Sequence, residues 1–177
     1  MIAFTNSSGA GWVTGALHQP GLLTPGSTLH ANVRLRPAGL SDAEAISRLT
    51  TELGYPSTVD EIVQRLDVLL RADTRFIVVA EQDSAVVGWV AAERRLLLES
   101  GERVEIVGLI VGAEARRSGI GAALVQAAED WAVEQKLQVI SVRSSIARVE
   151  SHPFYERLGY IRSKTQHAYM KRLGTGT

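Results

Sequence analysis

Six consecutive residues, Arg116-Arg117-Ser118-Gly119-Ile120-Gly121, set two guanidiniums and two glycines where an apolar run, Val104 to Val111, gives way to a helical pattern. The first turn of a helix offers unpaired N–H groups and the positive end of a dipole, so it favours anions. Glycines there let a phosphate approach the backbone, and arginines add charge and directed donors. The chemistry this spacing allows is a diphosphate cradle, lined by Arg116, Arg117, Ser118, Gly119, Ile120, Gly121 and Ala122. A P-loop would need Lys and then Ser or Thr after the last glycine, where Ala122-Ala123 stand. A dinucleotide fingerprint would place its glycines directly after the strand. Here Gly112 to Ser118 intervene, and Leu124 replaces the third glycine.

The elements around the cradle can be read from periodicity. Val33 to Ala38 alternates like a strand. Ser41-Asp42-Ala43-Glu44 is a capping-box sequence ahead of a helix with Ile46, Leu49 and Leu53 inward, ended by Gly54 and Pro56. A second helix begins near Ser57 or Thr58, with Val59, Ile62, Leu66 and Leu69 inward. Three strands follow as a meander: 75–80, 85–97 and 104–111. The helix after Gly119 carries Ile120, Leu124, Ala127 and Trp131 on one side. A strand over 138–143, a short helix PFYERLG closed by Gly159, and a final hairpin from Tyr160 to Leu173 complete the order β-αα-βββ-α-β-α-ββ. Residues 1–32, rich in Gly, Ser and Thr, read as a loosely docked arm. Residues 33–173 read as one domain, and 174–177 as a tail.

The cradle sequence resembles the coenzyme A motif of the GNAT acyltransferase superfamily: Gln or Arg, two residues, Gly, one residue, Gly or Ala. Arg116, Gly119 and Gly121 fill its fixed positions. RVESHPFYERLGY, from Arg148 to Tyr160, is similar to a second block of the same superfamily, an aromatic-Tyr pair in a short helix ending in Leu-Gly-aromatic. The resemblance spans roughly residues 33 to 173. It implies an α+β, three-layer fold: a mixed, mostly antiparallel central sheet with helices on both faces. It also implies that the two parallel strands splay apart to admit coenzyme A. The sequence departs from the family at Arg148, where Asn is frequent, and at Ser151, where Ala is common. The pantetheine contact of that Asn is therefore not expected in the same form.

Acyl transfer from a thioester to an amine needs a neutral amine, a stabilised oxyanion and a protonated leaving thiolate. Glu105 is the candidate base. It lies on the strand leading into the cradle, and alternation places Glu105, Val107, Leu109 and Val111 on one face. A carboxylate beside apolar strand residues would have a raised pKa. An ion-paired Glu is the competing reading, Glu93 and Glu99 are weaker candidates, and a water chain is an alternative base. Tyr155 has a phenolic proton to give, and the resemblance places it as the acid for the thiolate. The resemblance also implies backbone contacts from Leu109, Ile110 and Val111 to pantetheine and the oxyanion. His152 is a candidate for the acceptor pocket. Arg94 and Arg95 read first as a solvated edge and otherwise as selectors of an acidic substrate.

Composition bounds the rest. The 177 residues contain no Cys and have zero formal net charge. Thiolate chemistry is excluded, and no basic excess suggests nucleic acid. No His pair has metal spacing, so no metal is expected. No apolar run approaches the roughly 20 residues of a membrane helix. No charged residue precedes Arg34, so no secretory signal is read and a cytoplasmic protein is expected. The expected activity is N-acetyl transfer from acetyl-CoA, as co-substrate, to a primary amine on a small molecule or peptide, in a ternary complex. The alternatives are another acyl-CoA, a hydroxyl acceptor, or a non-catalytic acyl-CoA sensor. A homodimer is compatible with the expected last hairpin and arm.

Overall fold

The computed structural model describes residues 32–173. The expected N-terminal arm, apart from Asn32, and the tail lie outside the described residues.

Five strands form one sheet in sequential order. They are β1 (Val33–Pro37), β2 (Arg75–Gln82), β3 (Ala85–Leu97), β4 (Gly101–Val111) and β5 (Ile140–Val142). All neighbours are antiparallel except β4 and β5, which run parallel. Helices α1 (Ala43–Glu52) and α2 (Val59–Leu69) cover one face, and α3 (Ile120–Glu134) covers the other. A short helix α4 (Ser151–Arg157) follows β5. Strand alternation sorts the two cores. Val79 joins Ile46, Leu49, Ile62 and Leu66 of α1 and α2. Its neighbours Val78 and Ala80 join Leu124, Ala128 and Trp131 of α3. Phe76 stacks on Trp131 with centroids 5.3 Å apart. Among the described residues no helix is long and apolar enough to cross a membrane.

Local expectations fared unevenly. Thr58 caps α2 in a reciprocal box: its hydroxyl accepts from Glu61 N–H at 3.2 Å, and the Glu61 carboxylate accepts from Thr58 N–H at 2.9 Å. The box expected from Ser41 and Glu44 does not form. A 3₁₀ turn over Leu40–Asp42 precedes α1, so Asp42 reaches back instead, accepting from Gly39 N–H at 2.8 Å. Val59 is exposed. The hairpin expected over 160–173 is absent, and the segment is exposed apart from Tyr160. Alternation gives a segment a tendency to extend, but a strand also needs a ladder. The neighbouring β5 is shorter than expected, with only three paired residues.

Asp42 also accepts two parallel bonds from Arg36, each 2.8 Å, and Arg36 Nε donates to Glu81 at 2.8 Å. The Arg36 bonds hold the Asp42 carboxyl below its ordinary 3.8, outweighing burial, with help from Gly39 N–H. A lowered folded-state pKa gives stability that is complete above the ordinary value and lost as pH falls through the folded one. Asp42→Asn should therefore cost about 2 kcal/mol at neutral pH. The gap between variant and parent in urea melts should close as pH drops below 3.8. A gap constant down to about pH 2 would contradict this.

Candidate active site

The cradle sits where α3 begins. Gly119 takes a left-handed conformation, φ +83°, immediately before the helix, and Arg117 another, φ +63°. The first helical bond runs from Ala123 N–H to Gly119 C=O at 3.0 Å. Among the described residues the N–H groups of Ile120, Gly121 and Ala122 have no partner, and no side chain caps the helix. Arg116 and Arg117 are exposed. Arg116 Nε donates to Val111 C=O at 3.2 Å, and Ser118 Oγ donates to Ala115 C=O at 2.6 Å, so both side chains brace the turn. The arrangement fits an anion: three free donors, a positive dipole end and two guanidiniums.

Beside the cradle the sheet opens. The β4–β5 ladder covers only Val104↔Ile140, Glu105↔Ser141 and Ile106↔Val142. Leu109, Ile110 and Val111 pair with β3 on one side and with no strand on the other. This leaves a row of backbone groups free along a gap, the splay expected of the parallel strands.

Two glycines have sizes set by side-chain packing. A Cβ on Gly121 would meet Phe154 Cζ at 3.3 Å and Val111 Cγ2 at 3.8 Å. Its smallness therefore admits the Phe154 ring, a second demand on this position beside the approach of a phosphate. Phe154 meets Tyr155 edge-on, centroids 5.0 Å apart, and Tyr155 meets Tyr160 at 5.5 Å. Gly159, φ +88°, ends α4, with Tyr160 N–H bonded to Tyr155 C=O at 3.1 Å. Burial pushes the Tyr155 phenol up to about 12, against the pull of the Arg148 charge. A Cβ on Gly108 would lie 2.6 Å from the Trp89 ring, so that position also has to be small.

Glu105 is where the structure departs furthest from expectation. Pairing steps from Ala91↔Gly108 to Ala92↔Ile106, leaving Val107 as an extra, exposed residue. The alternation phase changes there. Val104 and Ile106 face α3, as do Leu109 and Val111, while Glu105 lies on the face of α1 and α2. Glu105 thus does not share a face with Leu109 and Val111. It is 7% exposed and held by Arg95 Nη1 at 2.8 Å and Arg143 Nη2 at 2.8 Å. Burial pushes its carboxyl up, but the bonds from Arg143 and Arg95 outweigh it and bring it below the ordinary 4.5. The raised pKa expected from apolar surroundings is replaced by the opposite shift, because the neighbours are guanidiniums. Arg95 also bonds Glu93 at 3.2 Å, and Arg75 pairs with Glu93.

Other candidates are engaged. His152 Nε2 lies 3.1 Å from Ser145 C=O, and Arg94 pairs with Glu102 at 2.8 Å. Arg148, at the family's Asn position, donates to Leu53 C=O at 2.9 Å, with its guanidinium 6.0 Å from the Tyr55 ring centroid. It thereby ties the β5–α4 loop to the α1–α2 connection. Among the described residues no cluster could hold a metal ion. The roles of Arg143, Glu93 and Arg75 were missed. Their signal lies in the strand register, Arg75↔Glu93↔Glu105↔Ser141, which spacing alone does not reveal.

Comparison with known proteins agrees with this architecture. The acetyltransferase (GNAT) family matches residues 43–160. The uncharacterized N-acetyltransferase YhdJ of Bacillus subtilis is 28% identical over 116 residues, 65% of this chain and 79% of that one. Among solved structures, aminoglycoside 6'-N-acetyltransferase AAC(6')-Ih from Acinetobacter baumannii is 23% identical with a TM-score of 0.70, covering 80% of this chain and 99% of that one. Glucosamine-6-phosphate N-acetyltransferase from Arabidopsis thaliana is 18% identical with a TM-score of 0.67, covering 78% and 97%. With the mixed five-stranded sheet, the open parallel edge and the uncapped α3 turn, the match over two-thirds of its length makes this chain a member of the GNAT acetyltransferase family and an acyltransferase.

Proposed function

We propose that this chain transfers the acetyl group of acetyl-CoA to a primary amine by direct attack in a ternary complex. The observation that carries the reading is the Gly121–Phe154 contact, which joins the uncapped turn of α3 to the helix bearing Tyr155. Acetyl-CoA supplies the thioester when bound. The Ile120, Gly121 and Ala122 N–H groups, with Arg116 and Arg117, hold its diphosphate. The open edge from Leu109 to Val111 takes the pantetheine amides and turns a donor toward the acyl oxygen. A C–N bond forms and the C–S bond breaks. Tyr155, protonated at neutral pH, gives its proton to the departing sulfur, and the amine loses its proton to water.

Glu105 has a different part from a base. A carboxylate held down by two guanidiniums is a weak proton acceptor. It fixes Arg95 and Arg143 and offers a charge to orient the amine. Relatives named for aminoglycosides and for glucosamine-6-phosphate are named for amines on small molecules, which supports a small-molecule acceptor over a peptide.

The test is thiol release from acetyl-CoA by the full chain over a panel of amines, with product mass determined. Release should depend on amine. The rate should rise with pH as the amine deprotonates, with no break at about 6–7 of the kind a tuned carboxylate base gives. Such a break, abolished in Glu105→Gln, would return the base role to Glu105.

A further inference from the structure

The face of the sheet shared with α1 and α2 carries a row of charges at its uncovered end. From β2 to the end of β5 they are Arg75, Glu93, Arg95, Glu105 and Arg143. Three guanidiniums meet two carboxylates, and both carboxylates are engaged within the row.

Arg143 differs from the other members. It follows the last residue of β5, where the parallel ladder stops and the gap begins. Its side chain is 67% exposed, whereas that of Glu105 is 9% exposed. Only its Nη2 is used, on Glu105; Nε and Nη1 have no partner among the described residues. A guanidinium has five N–H donors in a planar fork suited to carboxylate and phosphate. The buried, anionic Glu105 therefore anchors one corner of that fork and leaves the rest free at the end of β5. On the same loop, Arg148 adds a second guanidinium that makes no ion pair among the described residues. Its charge acts at the Tyr155 phenol. Glu150, exposed on that loop, pairs with neither. The nearby Glu52 is occupied by Arg48 at 3.8 Å and by Ala113 N–H at 3.2 Å.

We infer that the acceptor is an amine that also carries an anionic group, carboxylate or phosphate, held by the free corner of Arg143 where β5 leaves β4. The inference rests on the acetyl-transfer reading above and narrows it. A polycationic amine would meet like charge along this row, and like-charge contact is an effective means of exclusion. An amine with an anionic group would pair with Arg143 while its nitrogen lies toward Glu105. A neutral analogue would forgo the charge-assisted bonds that a carboxylate or phosphate makes to this fork.

The experiment uses the full chain, acetyl-CoA and matched amines. These are the common amino acids against their amides, phosphoethanolamine against ethanolamine, and one aminoglycoside. The anionic member of a pair should be favoured by about tenfold or more in kcat/KM. The pair that shows the preference distinguishes carboxylate from phosphate. In Arg143→Gln the ratio should fall toward one. Arg143→Lys should keep part of it, since a point charge replaces the fork. The exposure of Arg143 makes both variants foldable, which melting curves verify. Equal kcat/KM within every pair, preference for the aminoglycoside, or a ratio unchanged in Arg143→Gln would overturn the inference alone. Acetyl-CoA binding with no acetylated product from any amine would overturn the acetyl-transfer reading, and the inference with it.

Discussion

Tyr155→Phe should lower kcat by about 10²–10³-fold while acetyl-CoA affinity stays within about twofold. The substitution removes one oxygen and keeps the ring that packs against Phe154 and Tyr160. Fold stability should therefore change little, and any loss of turnover belongs to the proton. Burial pushes the phenol up to about 12, so the group is protonated at every pH at which the protein is assayed. A proton donor of that kind contributes without adding an inflection near neutrality. Steady-state kinetics beside binding calorimetry separates the two quantities. Unchanged kcat would mean that the thiolate leaves without help from this hydroxyl.

Gly121→Val should have the second large effect, and by a route that the motif alone would not suggest. The first added carbon already lies 3.3 Å from the Phe154 ring, and valine's methyl groups extend further. Overpacking of this kind costs about 1–3 kcal/mol. We expect acetyl-CoA affinity to fall by tenfold or so and turnover to fall with it, because the strain is relieved by moving α4 and therefore Tyr155. Combining Gly121→Val with Phe154→Leu should recover much of the affinity, since the two side chains share one space. Failure of the double variant to recover would mean that backbone approach to the diphosphate, rather than ring packing, sets the need for glycine.

The uncapped start of α3 was legible in sequence because all of its parts are consecutive. A helix start, its glycines and its arginines need no knowledge of tertiary pairing. The two cores were legible for a similar reason: periodicity over 46–53, 62–66 and 120–131 marks faces without specifying what they meet. Glu105 was visible as a residue but not as an environment. Arg95 and Arg143 lie 10 and 38 residues from it, and only the β3–β4–β5 register brings them together. The last hairpin was misread because alternating residues describe a strand's habit and not the edge it needs. At the start of α1 a 3₁₀ turn gave the part of the carboxylate that reaches back to Asp42 instead of Glu44, a change that composition cannot reveal.

The extra residue at Val107 bears on how this chain can be compared with others. Along most strands, an even number of steps from a landmark means the same side of the sheet. On β4 that parity reverses midway. A carboxylate found by counting back from the arginine–glycine motif points to one side or the other according to whether the count crosses the extra residue. Equivalences along this strand are therefore safe only when drawn from spatial superposition, and a single-residue insertion or deletion there would exchange the polar side for the greasy one.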